Sequence, residues 1–214
     1  MSLESYSALK TEIANHLDRS DLTSDIDTFI DICEARNKRE LRLADGSVIP
    51  PVLLNDMLTR TSLTVNARHV SVPAGLIQAK HLRLLTSPVT VLTEVSAFEM
   101  SRIRTETNGK PEFFTVHADI EFNKAPDASY SGEIIYYDTL TALSDSNTTN
   151  ALLDEAPDVY LYGALAAAEP FLMHDERVAI WNGLYVDGRT GLAGTQRRRN
   201  KTGPLFSRVA GARP

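Results

Sequence analysis

The side chains able to do chemistry are few and scattered. Five histidines (His16, His69, His81, His117, His174) stand apart, with no pair at metal-ligand spacing, and each reads as a surface or strand residue. The single cysteine, Cys33, excludes an internal disulfide and a cysteine-based zinc site. It falls on an apolar helical stripe, so it reads as a small buried hydrophobe and not as a reactive thiol. Asp18, Asp21, Asp25 and Asp27 are spaced like a calcium loop but lack the mid-loop glycine and terminal glutamate, which leaves helix capping. Asp154, Glu155, Asp158 and Glu169 would serve as an acid–base pair only beside a nucleophile, metal ligand or phosphate loop, and none accompanies them. Gly109-Lys110 is followed by Pro111 and has no second glycine at the spacing of a phosphate-binding loop. HExxH, GxSxG and a Gly-rich dinucleotide turn are all missing from the sequence. The expectation is a chain with no catalytic residue, no metal and no cofactor.

What remains is charge. Beyond Asp187 stand Arg189, Arg197, Arg198, Arg199, Lys201, Arg208 and Arg213, with no acid among them. The chain carries −6 overall, so this +7 tail leaves −13 on residues 1–187. An acidic body with a basic tail implies that the tail docks onto something acidic, either a protein neighbour or nucleic acid. A basic run binds phosphate without sequence preference, but no aromatic residues are interleaved here to stack bases. Leu205 and Phe206 favour a protein target, because an apolar pair can fill a pocket that basic residues frame. The docking set is therefore Arg197, Arg198, Arg199, Lys201, Leu205, Phe206 and Arg208.

The elements that must position these groups follow from periodicity. A chain of 214 residues, 43% hydrophobic and 23% charged, suits one embellished domain or two small ones and excludes wholesale disorder. No run approaches the roughly 18–20 apolar residues of a membrane span, and Met1–Lys10 has no apolar core of a secretory signal. One cysteine fits a reducing, cytosol-like place of assembly. Tyr6, Leu9, Ile13 and Leu17 share one helical face. A second helix is expected from about Ser24, with Ser24 and Asp27 as a capping box. Its stripe is Ile26, Phe29, Ile30, Cys33 and Leu41, with Asn37 out of place on it and Gly46 as the stop.

From about Ser62 the period shortens. Alternation in residues 63–67 and 81–84, with Phe113–His117, Ile120–Asn123 and Gly132–Asp138, predicts a small, mostly antiparallel β-region over residues 62–138. Ser96–Thr105 is expected to be a helical insertion within it. Helices resume after the polar loop ending at Asn150. Pro157 suits a first turn, Gly163, Ala164, Ala166, Ala167 and Ala168 allow close helix approach, and Pro170 should kink or end that helix. Asp175 and Glu176 open a last helix through Trp181 and Tyr185. The glycine-rich residues 188–214 read as an extended basic arm, removable from residue 189 without unfolding the body. The fold class is α+β: N- and C-terminal helices (1–61 and 139–187) forming a bundle, a β insertion at 62–138, and an arm at 188–214.

One stretch resembles a known family. It runs Tyr136-Tyr137-Asp-Thr-Leu140-Thr-Ala-Leu143, through the polar loop to Asn150, then Leu152-Leu153, Ala156-Pro157-Asp158-Val-Tyr160-Leu-Tyr162-Gly163-Ala164-Leu165, Asp175-Glu176-Arg177 and Trp181. This is similar to the head-to-tail adaptor proteins of tailed bacteriophages. A looser likeness covers Glu34-Ala35-Arg36, Arg39-Glu40-Leu41-Arg42 and Val72-Pro73. Ala151 departs from it, since relatives carry a bulky aromatic before the Leu-Leu pair. The resemblance implies a structural ring of twelve copies beneath the portal, assembled in the host cytoplasm and placed in the virion neck. Its implied partners are portal, tail or nozzle proteins, and genomic DNA passing without sequence-specific contact; no membrane is involved. Two other readings stay open, a DNA-binding accessory protein using the basic tail and another virion ring component such as a tail-completion or stopper protein.

Overall fold

The computed structural model describes residues 3–19, 21–43, 45–172 and 175–200. They form an α+β protein with six α-helices and a curled mixed sheet. The described residues up to Leu53 together with those from Thr141 to Asn200 make one compact unit, and Leu54–Leu140 make a second.

The helical unit begins with α1 (Tyr6–Leu17), capped by the Ser5 hydroxyl, which accepts from the Ala8 amide. Tyr6, Leu9, Ile13 and Leu17 are all buried, as their spacing requires. Helix α2 (Thr23–Asn37) buries Ile26, Phe29, Ile30 and Cys33. Two expectations fail here. Leu22 is the N-cap residue and no side chain caps the helix, so Ser24 and Asp27 form no capping box. The helix also ends before Leu41, which lies in β1 (Leu41–Arg42) opposite Ile49 of β2 (Val48–Ile49). Gly46, at φ +83°, serves the tight turn of that hairpin and does not stop a helix.

Short α4 (Ala151–Glu155), α5 (Pro157–Leu172) and α6 (Asp175–Asn200) complete the unit. Pro157 stands first in α5, and Pro170 lies within its last turn. The expected extended arm is overturned over residues 188–200, which are helical. Arg189, Leu192 and Gln196 recur at helical spacing and are buried. Two of the three are polar, so the stripe carries no hydrophobic signal. Residues 201–214 of the expected arm lie outside the described residues.

The second unit is a seven-stranded sheet in the order β3-β9-β5-β6-β7-β8-β4. Its strands are β3 (Leu58–Val65), β4 (His69–Ser71), β5 (Leu76–Leu84), β6 (Thr90–Glu94), β7 (Phe113–Val116), β8 (Asp119–Phe122) and β9 (Tyr130–Asp138). Strand β3 starts earlier than the residue 62 expected. Only β6 and β7 pair in parallel, and the insertion between them holds α3 (Ala97–Ile103). Two register shifts in β5, between Leu76 and Gln78 and between Ala79 and His81, mark bulges that bend the sheet. The outermost strands β3 and β4 are joined by residues 66–68 alone, so the sheet curls around its core. That core is apolar: Val65, Leu82, Leu84, Phe114, Phe122 and Ile134 among others.

Candidate functional site

The family-like residues of the helical unit converge on a buried polar seam. Asn150 caps α4, its Oδ1 accepting from the Leu153 amide at 2.9 Å. Its amide nitrogen donates to the Thr141 carbonyl at 2.9 Å and to the Tyr160 hydroxyl at 2.8 Å. Tyr160, fully buried on α5, donates in turn to Glu34 Oε1 of α2 at 3.0 Å. The same oxygen accepts from the Leu143 amide at 2.9 Å. Burial raises the Glu34 pKa, opposed by those two hydrogen bonds. Burial also pushes the Tyr160 hydroxyl well above the usual phenol range, so it stays a neutral donor. The chain Asn150–Tyr160–Glu34 thus ties the polar loop and α4 to α5 and α2.

A second cluster gathers at the C-terminus of α2, within one turn of Glu34. Arg189 of α6 is only 1% exposed. It donates to the main-chain carbonyls of Arg36 (3.1 Å), Arg39 (3.3 Å) and Pro50 (2.6 Å) and to the Tyr185 hydroxyl (3.3 Å). The Arg36 carbonyl lies in the last turn of α2, where a cation suits the helix dipole and adds to the weak backbone bond from the Arg39 amide at 3.4 Å. Tyr185 passes the chain on, donating to Asn37 Oδ1 at 2.9 Å. Asn37 therefore sits on the apolar stripe because a tyrosine from α6 needs an acceptor there. Arg36 lies over the Tyr185 ring at 4.5 Å and donates to Asn182 Oδ1 at 2.7 Å.

Between the clusters the helices touch closely. A Cβ on Gly163 would come within 2.3 Å of Cys33 Sγ and 3.1 Å of the Tyr185 ring. One on Gly188 would meet Asp158 Oδ2 at 2.8 Å. Cys33 is buried with its thiol pKa pushed up to about 12, which removes thiolate chemistry at neutral pH. Trp181 stacks on Tyr162 (centroids 5.9 Å apart, planes at 13°) and donates to the buried Glu169 at 3.0 Å. Arg197 and Arg198 are exposed near the end of α6. Arg199 instead pairs with Glu155, which also takes both bonds from Gln196 at 3.0 Å. Asp175 and Glu176 open α6, and their side chains lie outside the described part. Lys201, Leu205, Phe206 and Arg208 also lie outside the described residues.

The structure thus joins Asn150, Tyr160 and Gly163 to Glu34, Asn37, Tyr185 and Arg189, none of which sequence reasoning placed among the site residues. Asn37 carried a signal as a polar residue on an apolar stripe, Glu34 lay in the looser family likeness, and Arg189 was read only as one of the tail's charges. Among the described residues no group of histidine, cysteine and acidic side chains is placed to hold a metal. No described helix is long and apolar enough to cross a membrane. The chain matches the family model of the SU10 adaptor protein over residues 5–208. It belongs to that family. These are phage head-to-tail adaptors, and membership gives the chain a structural role in a bacteriophage and implies a place in the virion neck. Comparison with curated proteins found no match.

Proposed function

We propose that this SU10 adaptor family member is a non-catalytic ring subunit, about twelve copies of which stack beneath the portal and join it to the tail. The observation that carries this is the family match over residues 5–208, which spans both units. The character of the helical unit supports it: its buried polar groups are spent on fixing helices against one another, with Cys33 and Tyr160 held in unreactive neutral forms. An excess of acid over residues 1–187 would repel the DNA backbone and limit sticking to a channel wall.

The exposed Arg197 and Arg198, with Lys201, Leu205, Phe206 and Arg208, would make the attachment to the portal or to a neighbouring copy. The helical course of residues 188–200 revises how this is tested. Truncation from residue 189 would remove the buried Arg189 and disturb the body, so removal should begin at Lys201. The decisive measurement is native mass of the chain alone and mixed with its portal ring. A monomer that adds in about twelve copies to the portal establishes the adaptor ring. No portal binding, with salt-sensitive retention on DNA that is lost without residues 201–214, would instead establish the DNA-binding reading.

A further inference from the structure

Along the C-terminal half of α6 runs a groove of about 580 Å³, walled on its other side by α4 and the start of α5. Glu155, Asp158 and Asp187 give it acidic walls, while Tyr162 and Leu184 give it an apolar end. Glu155 is occupied by Gln196 and Arg199. Asp158 and Asp187 are exposed and have no ion-pair partner among the described residues. Gly191, on the α6 side, has open space where a side chain would stand, so a peptide backbone can lie against it. The described chain leaves α6 at Asn200, next to Arg199 on the groove's rim.

The residues that follow are complementary to this groove in charge and polarity. Positions 201–214 hold Lys201, Arg208 and Arg213 with no acid, and the apolar pair Leu205-Phe206. We propose that the groove is the docking site for the chain's own residues 201–214 in the unassembled subunit. The lengths place the segment. From Asn200 the helix runs back roughly 14 Å to Gly191 and roughly 24 Å to Leu184 at 1.5 Å per residue. With about two residues used to reverse direction, extended chain at about 3.3 Å per residue brings Phe206 level with Gly191, Arg208 level with Asp187 and Val209 to the Tyr162–Leu184 end. Arg208 is thereby placed to face the carboxylates. Tethering makes the encounter intramolecular, so weak contacts suffice. The consequence for assembly rests on the adaptor reading: docking would cover Leu205, Phe206 and Arg208 until a stronger partner draws them out. The docking itself does not depend on that reading.

Chymotrypsin cleavage after Phe206 in the full-length chain tests it without any portal. The expected result is slow cleavage at low salt, accelerated about threefold or more by salt of about 0.5 M or by Asp158→Asn with Asp187→Asn. Equal rates in all three conditions would overturn the proposal. The two aspartates are exposed, and far-UV circular dichroism of the variant checks that its fold is kept. A Gly191→Cys, Phe206→Cys pair supplies an independent reading, since Gly191 has open space for the side chain and Cys33 is buried. An intrachain disulfide is expected. A disulfide-linked dimer would assign the groove to a second copy's tail, and no disulfide would leave it without this occupant; either result overturns docking in cis.

Discussion

The two units solve the same problem, fixing one arrangement of elements, with different materials. In the strand unit the backbone does it. The eight paired positions of β3 and β9 set register through the ladder, and the side chains beneath need only be apolar and fit. Even the buried Asn123 serves the backbone, its Oδ1 accepting from the amides of Glu112 and Phe113. In the helical unit the backbone bonds are satisfied within each helix and cannot say how one helix sits on the next. Side chains supply that information: Glu34, Asn37, Asn150, Glu169, Arg189 and Gln196 are all buried there. A buried polar group is costly unless paired, so each admits one arrangement and penalises the others.

The contrast is tested most strongly by Phe114→Ala in the strand unit. Phe114 is 1% exposed in an apolar core, so the cost is about 3–5 kcal/mol, read from denaturant unfolding followed by a probe of strand content. Arg189→Met should come next, at about 3 kcal/mol, although methionine nearly fills the space. It removes the donor that the carbonyls of Arg36, Arg39 and Pro50 share. Arg189→Lys should recover little, since one ammonium cannot span three carbonyls and a hydroxyl. If Arg189→Met unfolds at the same denaturant concentration as the natural chain, the polar groups are not what orders the helices.

Much of the strand unit and the first helix was legible, for the same reason that their cores are simple. Tyr6, Leu9, Ile13 and Leu17 announce α1, and Leu82, Leu84, Ile120 and Phe122 mark faces of strands. The Ser96–Thr105 insertion was visible from its local pattern and appears as α3. What escaped was held by distant partners. The acceptor for Tyr185 is Asn37, 148 positions away along the chain. Arg189 binds main-chain carbonyls, which no residue type reveals, so the glycine-bearing end of α6 looked like an arm. Leu41 fitted the α2 stripe in spacing, yet the helix had already ended at Asn37. The family-like residues Asn150, Tyr160 and Gly163, and more loosely Glu34, were picked out by resemblance, while the contacts that join them to one another and to Cys33 required the fold.

A finer probe of the same comparison is Gly163→Ala. The added methyl would stand 2.3 Å from Cys33 Sγ and 3.1 Å from the Tyr185 ring. Overpacking of this kind costs about 1–3 kcal/mol. Cys33→Ala should be nearly additive with distant substitutions but should rescue Gly163→Ala in a double-mutant cycle, by about 0.5–3 kcal/mol of coupling. Absence of coupling would mean that α2 and α5 separate easily and that their spacing is set elsewhere. In the strand unit, where the ladder holds the spacing, a comparable methyl change such as Ile134→Val should cost about 0.5–1.5 kcal/mol and show no such partner.

The smallest effect is the one most specific to a polar core. Burial raises the Glu34 pKa in the folded chain, so between its unfolded value near 4.5 and the raised value the folded state holds more protons than the unfolded one. Stability contributed through Glu34 is therefore full below that unfolded value and declines as pH rises through the folded one. Glu34→Gln keeps an oxygen that can accept from the Leu143 amide and the Tyr160 hydroxyl, and removes the proton that titrates. The variant should match the natural chain to within about 1 kcal/mol at low pH and gain relative to it as pH rises toward neutrality. Unfolding midpoints measured from pH 4.5 to 7.5 decide this. A difference between the two chains that stays constant with pH would show that Glu34 keeps its charge in the fold. The Asn150–Tyr160–Glu34 chain would then end on a carboxylate held by its hydrogen bonds against desolvation, and the helical unit would owe more to charge than to burial.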